Sequence, residues 1–271
     1  MDYTNLSYYK AFFSTPPLWT GELDGLGQFE FPEVGFENFV TVTIPSNLRL
    51  GHKIEHIFLQ LIQHSPQYKV VAHNIPIRKE KISLGEIDFL LQDVDSQKFM
   101  HVELTYKFYV IPENTIPIER QLIGPNKRDS FYAKKERIIN HQIPLLKTPE
   151  GISALHRFNI RTSELQHQVC FKSQLFIPFM ERNMDVAPLN ANCISGKWIS
   201  FQKFNSSVFF SHKYYIPTKP EWLLEPHLGV KWQVHSEILD LISNRVENKN
   251  SPLLWMKSDN LTIEKLFILW W

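Results

Sequence analysis

The sequence predicts an α/β protein, a mixed β-sheet flanked by helices. Three observations carry that prediction. The hydrophobic period switches from helical to alternating and back along residues 50–177. Two neighbouring segments, 84–92 and 99–110, alternate as half-buried strands do. The 271 residues, 43% hydrophobic and 21% charged, suffice for one large core or two modest ones.

Residues 1–46 are aromatic and proline-broken, with Phe12, Phe13, Pro16, Pro17, Trp19, Phe29 and Phe31. They read as a short helix followed by irregular packing segments. From Leu50 to His64, Leu50, Ile54, Ile57, Phe58 and Leu61 form one stripe of helical period, with Ser46 or Asn47 as the expected cap. Pro66 follows, and Tyr68 to Ile77 reads as a strand. The segment Leu84-Gly85-Glu86-Ile87-Asp88-Phe89-Leu90-Leu91 places Glu86, Asp88 and Leu90 on one face. In the next strand Val102, Leu104, Tyr106, Phe108 and Val110 share one face, and His101, Glu103, Thr105, Lys107 and Tyr109 the other. The linker holds Asp93, Asp95, Ser96 and Gln97, a turn-like composition, so the two strands are expected to pair antiparallel. A helix from Ser130 to Ile143 should stop at Pro144, and His167 to Ile177 reads as a further strand.

The later part is a proline-rich extension, with Pro178, Pro188, Pro217, Pro220, Pro226 and Pro252. A strand is expected over 207–216 and an amphipathic helix over 234–246. The apolar Leu266-Phe267-Ile268-Leu269-Trp270-Trp271 reads as a docked terminal element. The expected division is a packing segment at 1–46, a core at 47–180 and an extension at 181–271.

Net charge is +1, so no global field draws the chain to polyanions, and nucleic-acid binding must come from a local patch. Between Arg120 and Arg137 six basic residues face two acidic ones. Gly124-Pro125-Asn126 before Lys127 and Arg128 forms a candidate phosphate cradle, with Lys134 and Lys135 beyond it. Cys170 and Cys193 have no metal-type spacing and give no disulfide framework, which points to a reducing cytoplasm. No apolar run nears the ~20 residues of a membrane span, so no membrane partner is expected.

The hairpin would set Asp88 beside Glu103, with Lys107 further along the same face. Two carboxylates and an ammonium there could hold a hard divalent cation and activate water. The plainer reading is a solvated polar strand face with a structural ion pair. Separately, His52-Lys53-Ile54-Glu55-His56 matches the H-x-x-E-H pattern of some zinc peptidases, with Glu119, Glu136 or Glu150 as a third ligand.

Taken together, Leu50-Gly51-His52 with Glu55, Ala72-His73-Asn74, the 84–91 segment, Glu103 with Lys107-Phe108-Tyr109, Gly124-Pro125-Asn126 with Arg128-Asp129, His141-Gln142, and Lys219-Pro220-Glu221-Trp222 resemble the bacterial domain-of-unknown-function 1853 family. The resemblance runs from about Leu50 to Pro226. That family is in turn similar to PD-(D/E)xK nuclease-like domains. The resemblance implies a restriction-endonuclease-like core of helix, three strands, helix and strand. It implies Mg²⁺ or Mn²⁺ held by Asp88 and Glu103, Glu55 on the preceding helix, and nucleic acid as substrate. The superfamily lysine lies two residues after the second acid, where this chain has Thr105. Lys107, about 7 Å further along at ~3.4 Å per residue, is the nearest lysine on that face. The expectation is therefore a nuclease using Lys107 and Glu55, or a non-catalytic nucleic-acid-binding or scaffold protein of the same fold.

Overall fold

The computed structural model describes residues 4–113, 118–258 and 262–271, without the side chains of Thr4, Asn5 and Glu119. The chain is a mixed α/β fold with a large mixed sheet flanked by helices. It divides into two compact units. One comprises Met1–Phe12, Pro17–Tyr106 and Ala133–Lys172, and the other Phe13–Pro16, Lys107–Tyr132 and Ser173–Trp271.

The first unit takes most of helix α1 (Thr4–Ser14), a small hairpin of β1 (Glu22–Leu23) and β2 (Leu26–Gly27), and helix α2 (Leu50–His64). Strands β3 (Tyr68–Lys79), β4 (Ile82–Asp93) and the start of β5 (Phe99–Val110) follow. Helices α3 (Phe131–Arg137), α4 (Ile143–Leu145) and α5 (Pro149–His156) lead to the start of β6 (Leu165–Pro178). The strand order is β3-β4-β5-β6, and both β3–β4 and β4–β5 are antiparallel. Helix, three strands, helices and strand thus succeed each other as the periodicity predicts.

Helix α2 buries Ile54, Ile57, Phe58, Leu61 and Ile62, the stripe read from sequence. Phe58 meets Phe89 of β4 at 4.5 Å between ring centroids, and Phe12, Phe29 and Phe31 close around it. These rings are the reason the aromatic N-terminal segment stays folded, since each removes a large apolar area from water. The helix starts after Arg49, which makes no side-chain cap, so neither Ser46 nor Asn47 takes that role. A second cluster joins Ile75, Ile77, Ile87 and Leu90 to Leu145, Leu146 and Leu155.

Pro144 does not stop its helix. After α3, residues Ile138–Gln142 form a π-helix, in which Ile143 N–H reaches back five residues to Ile138 O. The widened turn relieves the ring clash a proline otherwise makes with the carbonyl four residues before it. The helix continues to Leu145.

The second unit takes the ends of β5 and β6, then β7 (Ile194–Ser200), α6 (Phe201–Phe204), β8 (Lys213–Tyr215), β9 (Gln233–Val234), α7 (His235–Glu247), β10 (Leu253–Lys257) and β11 (Ile263–Leu269). Its order is β5-β6-β7-β11-β10-β8-β9. β7 runs parallel to both β6 and β11, while β10 pairs antiparallel with β11 and β8. The apolar tail is therefore an interior strand, buried from Lys265 to Leu269, which explains why it does not alternate. The long strand expected over 207–216 is instead a 3₁₀ turn at Ser207–Phe209 and a three-residue strand, with the Tyr214 hydroxyl donating to Phe209 O at 2.8 Å.

Candidate functional site

Strand β5 has both faces covered in the first unit. His101, Glu103 and Thr105, which a one-sided sheet would show to solvent, are buried. Buried polar atoms are costly without partners, so the partners of this face are informative.

The β4–β5 pairing runs from Gln92↔Phe99 to Phe89↔Val102, which carries Asp88 and Glu103 to the next position. There the Leu104 N–H donates to Asp88 Oδ2 at 2.9 Å. Glu103 is 1% exposed. Its Oε1 accepts from Lys134 Nζ at 2.9 Å and from Gln142 Nε2. Lys134 also donates to Gln142 Oε1 at 3.3 Å, closing a three-residue ring of contacts. Glu103 Oε2 is buried and has no hydrogen-bond partner among the described residues. Asp88 is held well above the usual carboxylate range, first by burial and then by the charge of Glu103, against the pull of Leu104 N–H and Lys134. Glu86 is raised too, by desolvation and then by Glu55. The charges of Glu55 and Glu103 thus bear on both Glu86 and Asp88, and the Lys134 ammonium offsets part of this at Asp88.

Glu55 comes to this neighbourhood from α2. Its Oε2 accepts from Asn74 Nδ2 at 3.1 Å and lies 3.2 Å from His52 Nδ1. Asn74 sits in the left-handed region at φ 50, interrupting the regular backbone of β3. Asparagine tolerates that conformation better than most residues, and there its amide meets Glu55.

The other expected site residues go elsewhere. Lys107 Nζ donates to Asp129 Oδ2 at 2.8 Å in the second unit, and the ammonium paired with Glu103 is that of Lys134. Thr105 is buried, and its Oγ1 has no hydrogen-bond partner among the described residues. Lys135 is buried and paired with Asp24. Lys127 and Arg128 are exposed. Of the four lysines and arginines read as a basic patch, Lys134 and Lys135 are therefore engaged inside the first unit. His52 and His56 are exposed, and the side chain of Glu119 lies outside the described residues. Among the described residues, no three His, Cys, Asp or Glu side chains group to hold a metal ion.

Sequence reading assigns Lys134 to the nucleic-acid patch and misses its pairing with Glu103, and with it Gln142 and Asn74. The signal for the first two is present: positions 134, 138 and 142 recur on one helix face. Nothing in the local pattern marks the left-handed backbone at Asn74.

The fold and these contacts define a mixed α/β protein with a carboxylate pair and a lysine gathered on two paired strands and the following helix. The chain belongs to the family described as domain of unknown function (DUF1853), which matches residues 28–266 of 271. No curated protein matches it, and no solved structure does. No helix among the described residues is long and apolar enough to cross a membrane.

Proposed function

We propose that this protein is a divalent-metal-dependent hydrolase of phosphodiester bonds in nucleic acid, on a divergent PD-(D/E)xK-like core. The observation that carries the reading is the buried, unpartnered Oε2 of Glu103 beside an Asp88 carboxyl whose charge the fold disfavours. A hard cation answers both problems, since it gives the orphan oxygen a partner and stabilises the ionised form of Asp88. Magnesium is commonly held by one or two carboxylates, with water and substrate phosphate completing its shell. That requirement is compatible with the pair Asp88 and Glu103. Zinc hydrolases take three protein ligands, and the exposed His52 and His56 join no such set among the described residues.

Asp88 and Glu103 would hold Mg²⁺ or Mn²⁺, which when bound supplies an acidified water and offsets charge developing on the phosphate. Lys134 fixes the Glu103 carboxylate through Oε1 and places an ammonium where negative charge accumulates. It takes the part expected of Lys107. Glu55, steadied by Asn74, adds a further carboxylate from α2. In the second unit Lys127 and Arg128 take backbone phosphates.

A second reading is favoured by one specific observation. Lys134 and Gln142 already satisfy Glu103 Oε1, as they would in a fold that has kept the frame and lost the chemistry. Cleavage of single-stranded and duplex DNA and RNA, with Mg²⁺ or Mn²⁺ and with EDTA, separates the two. The nuclease reading expects divalent-dependent cleavage that Asp88→Asn and Glu103→Gln abolish and Lys134→Met slows by at least a hundredfold. Cleavage that survives Asp88→Asn overturns it. Absence of both cleavage and calorimetric Mg²⁺ binding assigns the non-catalytic role.

A further inference from the structure

We infer that the second unit holds a pocket for an unpaired nucleobase, so that the nucleic acid this protein takes is single-stranded there. The inference rests on the nucleic-acid reading above and names the substrate class. A cavity of about 680 Å³, within the ~300–1,000 Å³ of small-molecule sites, is lined by Trp198, Trp271, Phe179, Phe209, Met180 and Lys203, among others.

Its two indoles are pinned by their polar edges. Trp198 Nε1 donates to Ile111 O at 2.8 Å, and Trp271 Nε1 donates to Pro125 O at 3.0 Å. The rings lie 6.3 Å apart between centroids and 32° from parallel. Because each N–H is satisfied by the protein, what the rings offer a ligand is apolar face at little ordering cost. Stacking on such faces suits every base.

A cation lies against one of the lining rings. Lys127 Nζ lies 3.9 Å from the Trp271 ring centroid, and exposed Arg128 follows it in the chain. The turn that carries them is clamped. Lys127 N–H donates to Gly124 O at 2.8 Å, Ser251 N–H donates to Asn126 Oδ1 at 2.7 Å, and Ser251 Oγ donates to Pro125 O at 2.8 Å. An ammonium held against an indole that lines a cavity matches a nucleotide, with its flat apolar base beside an anionic phosphate. A neutral apolar ligand has no use for the cation. A duplex cannot supply the base without extruding it from the stack. The cavity mouth is apolar and open to solvent, with Met180 84% and Val208 67% exposed. Lys203, paired with Glu113 at 3.8 Å, and Ser200 supply polar groups for base edges.

The test is fluorescence-anisotropy binding in EDTA, comparing a short oligothymidylate, the same length of duplex, and an abasic phosphodiester of equal charge. The unpaired oligomer should bind at least about tenfold more tightly than either other probe. Met180→Asp and Val208→Asp, both at exposed positions, should each weaken it about tenfold with no change in unfolding temperature. The Lys127→Ala/Arg128→Ala pair should lower the salt slope by about one to two. Equal binding of the abasic and thymidylate probes, or full affinity in both aspartate variants, overturns the pocket. Because the assay contains no divalent cation, its outcome is independent of catalysis. Base-dependent binding without cleavage by the wild type keeps the pocket and removes the hydrolase. Divalent-dependent cleavage that is indifferent to strandedness and to Met180→Asp does the reverse.

Discussion

Replacing Asp88 with asparagine keeps the side chain's shape and an oxygen for the Leu104 N–H, while removing the charge that faces Glu103. Directly opposed strand residues bring their Cβ atoms to about 4.5–5.5 Å. Two like charges roughly 5 Å apart at an effective dielectric of about 20 repel by about 3 kcal/mol. Weakening a charge-assisted bond to a neutral one costs about 1 kcal/mol, and the attraction of Lys134 for Asp88 is also lost. The expected net is a metal-free variant about 1–2 kcal/mol more stable than wild type at pH 8, at roughly 2–4 °C per kcal/mol for chains of this size. The gain depends on pH with a definite sign. The folded pKa of Asp88 is raised above its unfolded value near 4. Its contribution is therefore fully present below about pH 4 and is lost as pH rises through the folded pKa. Asp88→Asn should match wild type below about pH 4 and exceed it at pH 8. Saturating Mg²⁺ should reverse the order at pH 8, because ligand at a hundred times its Kd stabilises the folded wild type by about 2.7 kcal/mol and the variant lacks the site. Thermal unfolding at both pH values, in EDTA and in Mg²⁺, reads all four cases. A variant no more stable than wild type in EDTA at pH 8, with neither protein responding to Mg²⁺, refutes the argument that the two carboxylates strain against each other and wait for a cation.

Lys134→Ala leaves the Glu103 carboxylate buried with Gln142 as its partner, and should cost about 3 kcal/mol. Adding Glu103→Gln should recover most of that loss in a double-mutant cycle by urea denaturation, and strict additivity would show the pair to be uncoupled. Lys265, 2% exposed with Nζ 2.8 Å from Gln174 Oε1, is pushed down to about 8 by burial, against the opposing charge of Glu225. Between pH 8 and its unfolded value near 10.4 the unfolded chain binds the extra proton, so stability rises with pH by up to about 1.4 kcal/mol per unit from this group. Lys265→Met should flatten the wild-type slope between pH 8 and 9.5, and an unchanged slope sets the buried lysine aside.

Several elements were legible because one period of side chains sufficed to specify them. Helix α2 runs from Leu50 to His64 as its apolar stripe requires, and β5 covers Phe99–Val110 as its alternation does. The antiparallel pairing of β4 with β5 also followed from local pattern, since a one-residue slip would turn the apolar residues of a strand to the other face. Where tertiary contacts compete with a local rule, the local rule failed. A π-helical turn carried α3 past Pro144, and aromatic packing around Phe204 and Phe209 left the 207–216 segment mostly out of the sheet.

By itself the sequence determined the order of helix, three strands, helix and strand over residues 50–178 and singled out the two carboxylates, both of which depend on spacing along one chain. It also determined family membership, borne by motifs spread over most of that chain. Which cation meets Glu103 was decided only by the tertiary structure. Thr105, Lys107 and Lys134 lie 2, 4 and 31 residues beyond Glu103, and contact along a strand follows parity alone. Burial of both faces of β5 made an internal partner necessary, and the helix that covers one face supplied it from far along the chain. Lys107 found Asp129 instead. A pairing of this kind depends on how two elements pack, and no pattern within either strand or helix encodes it.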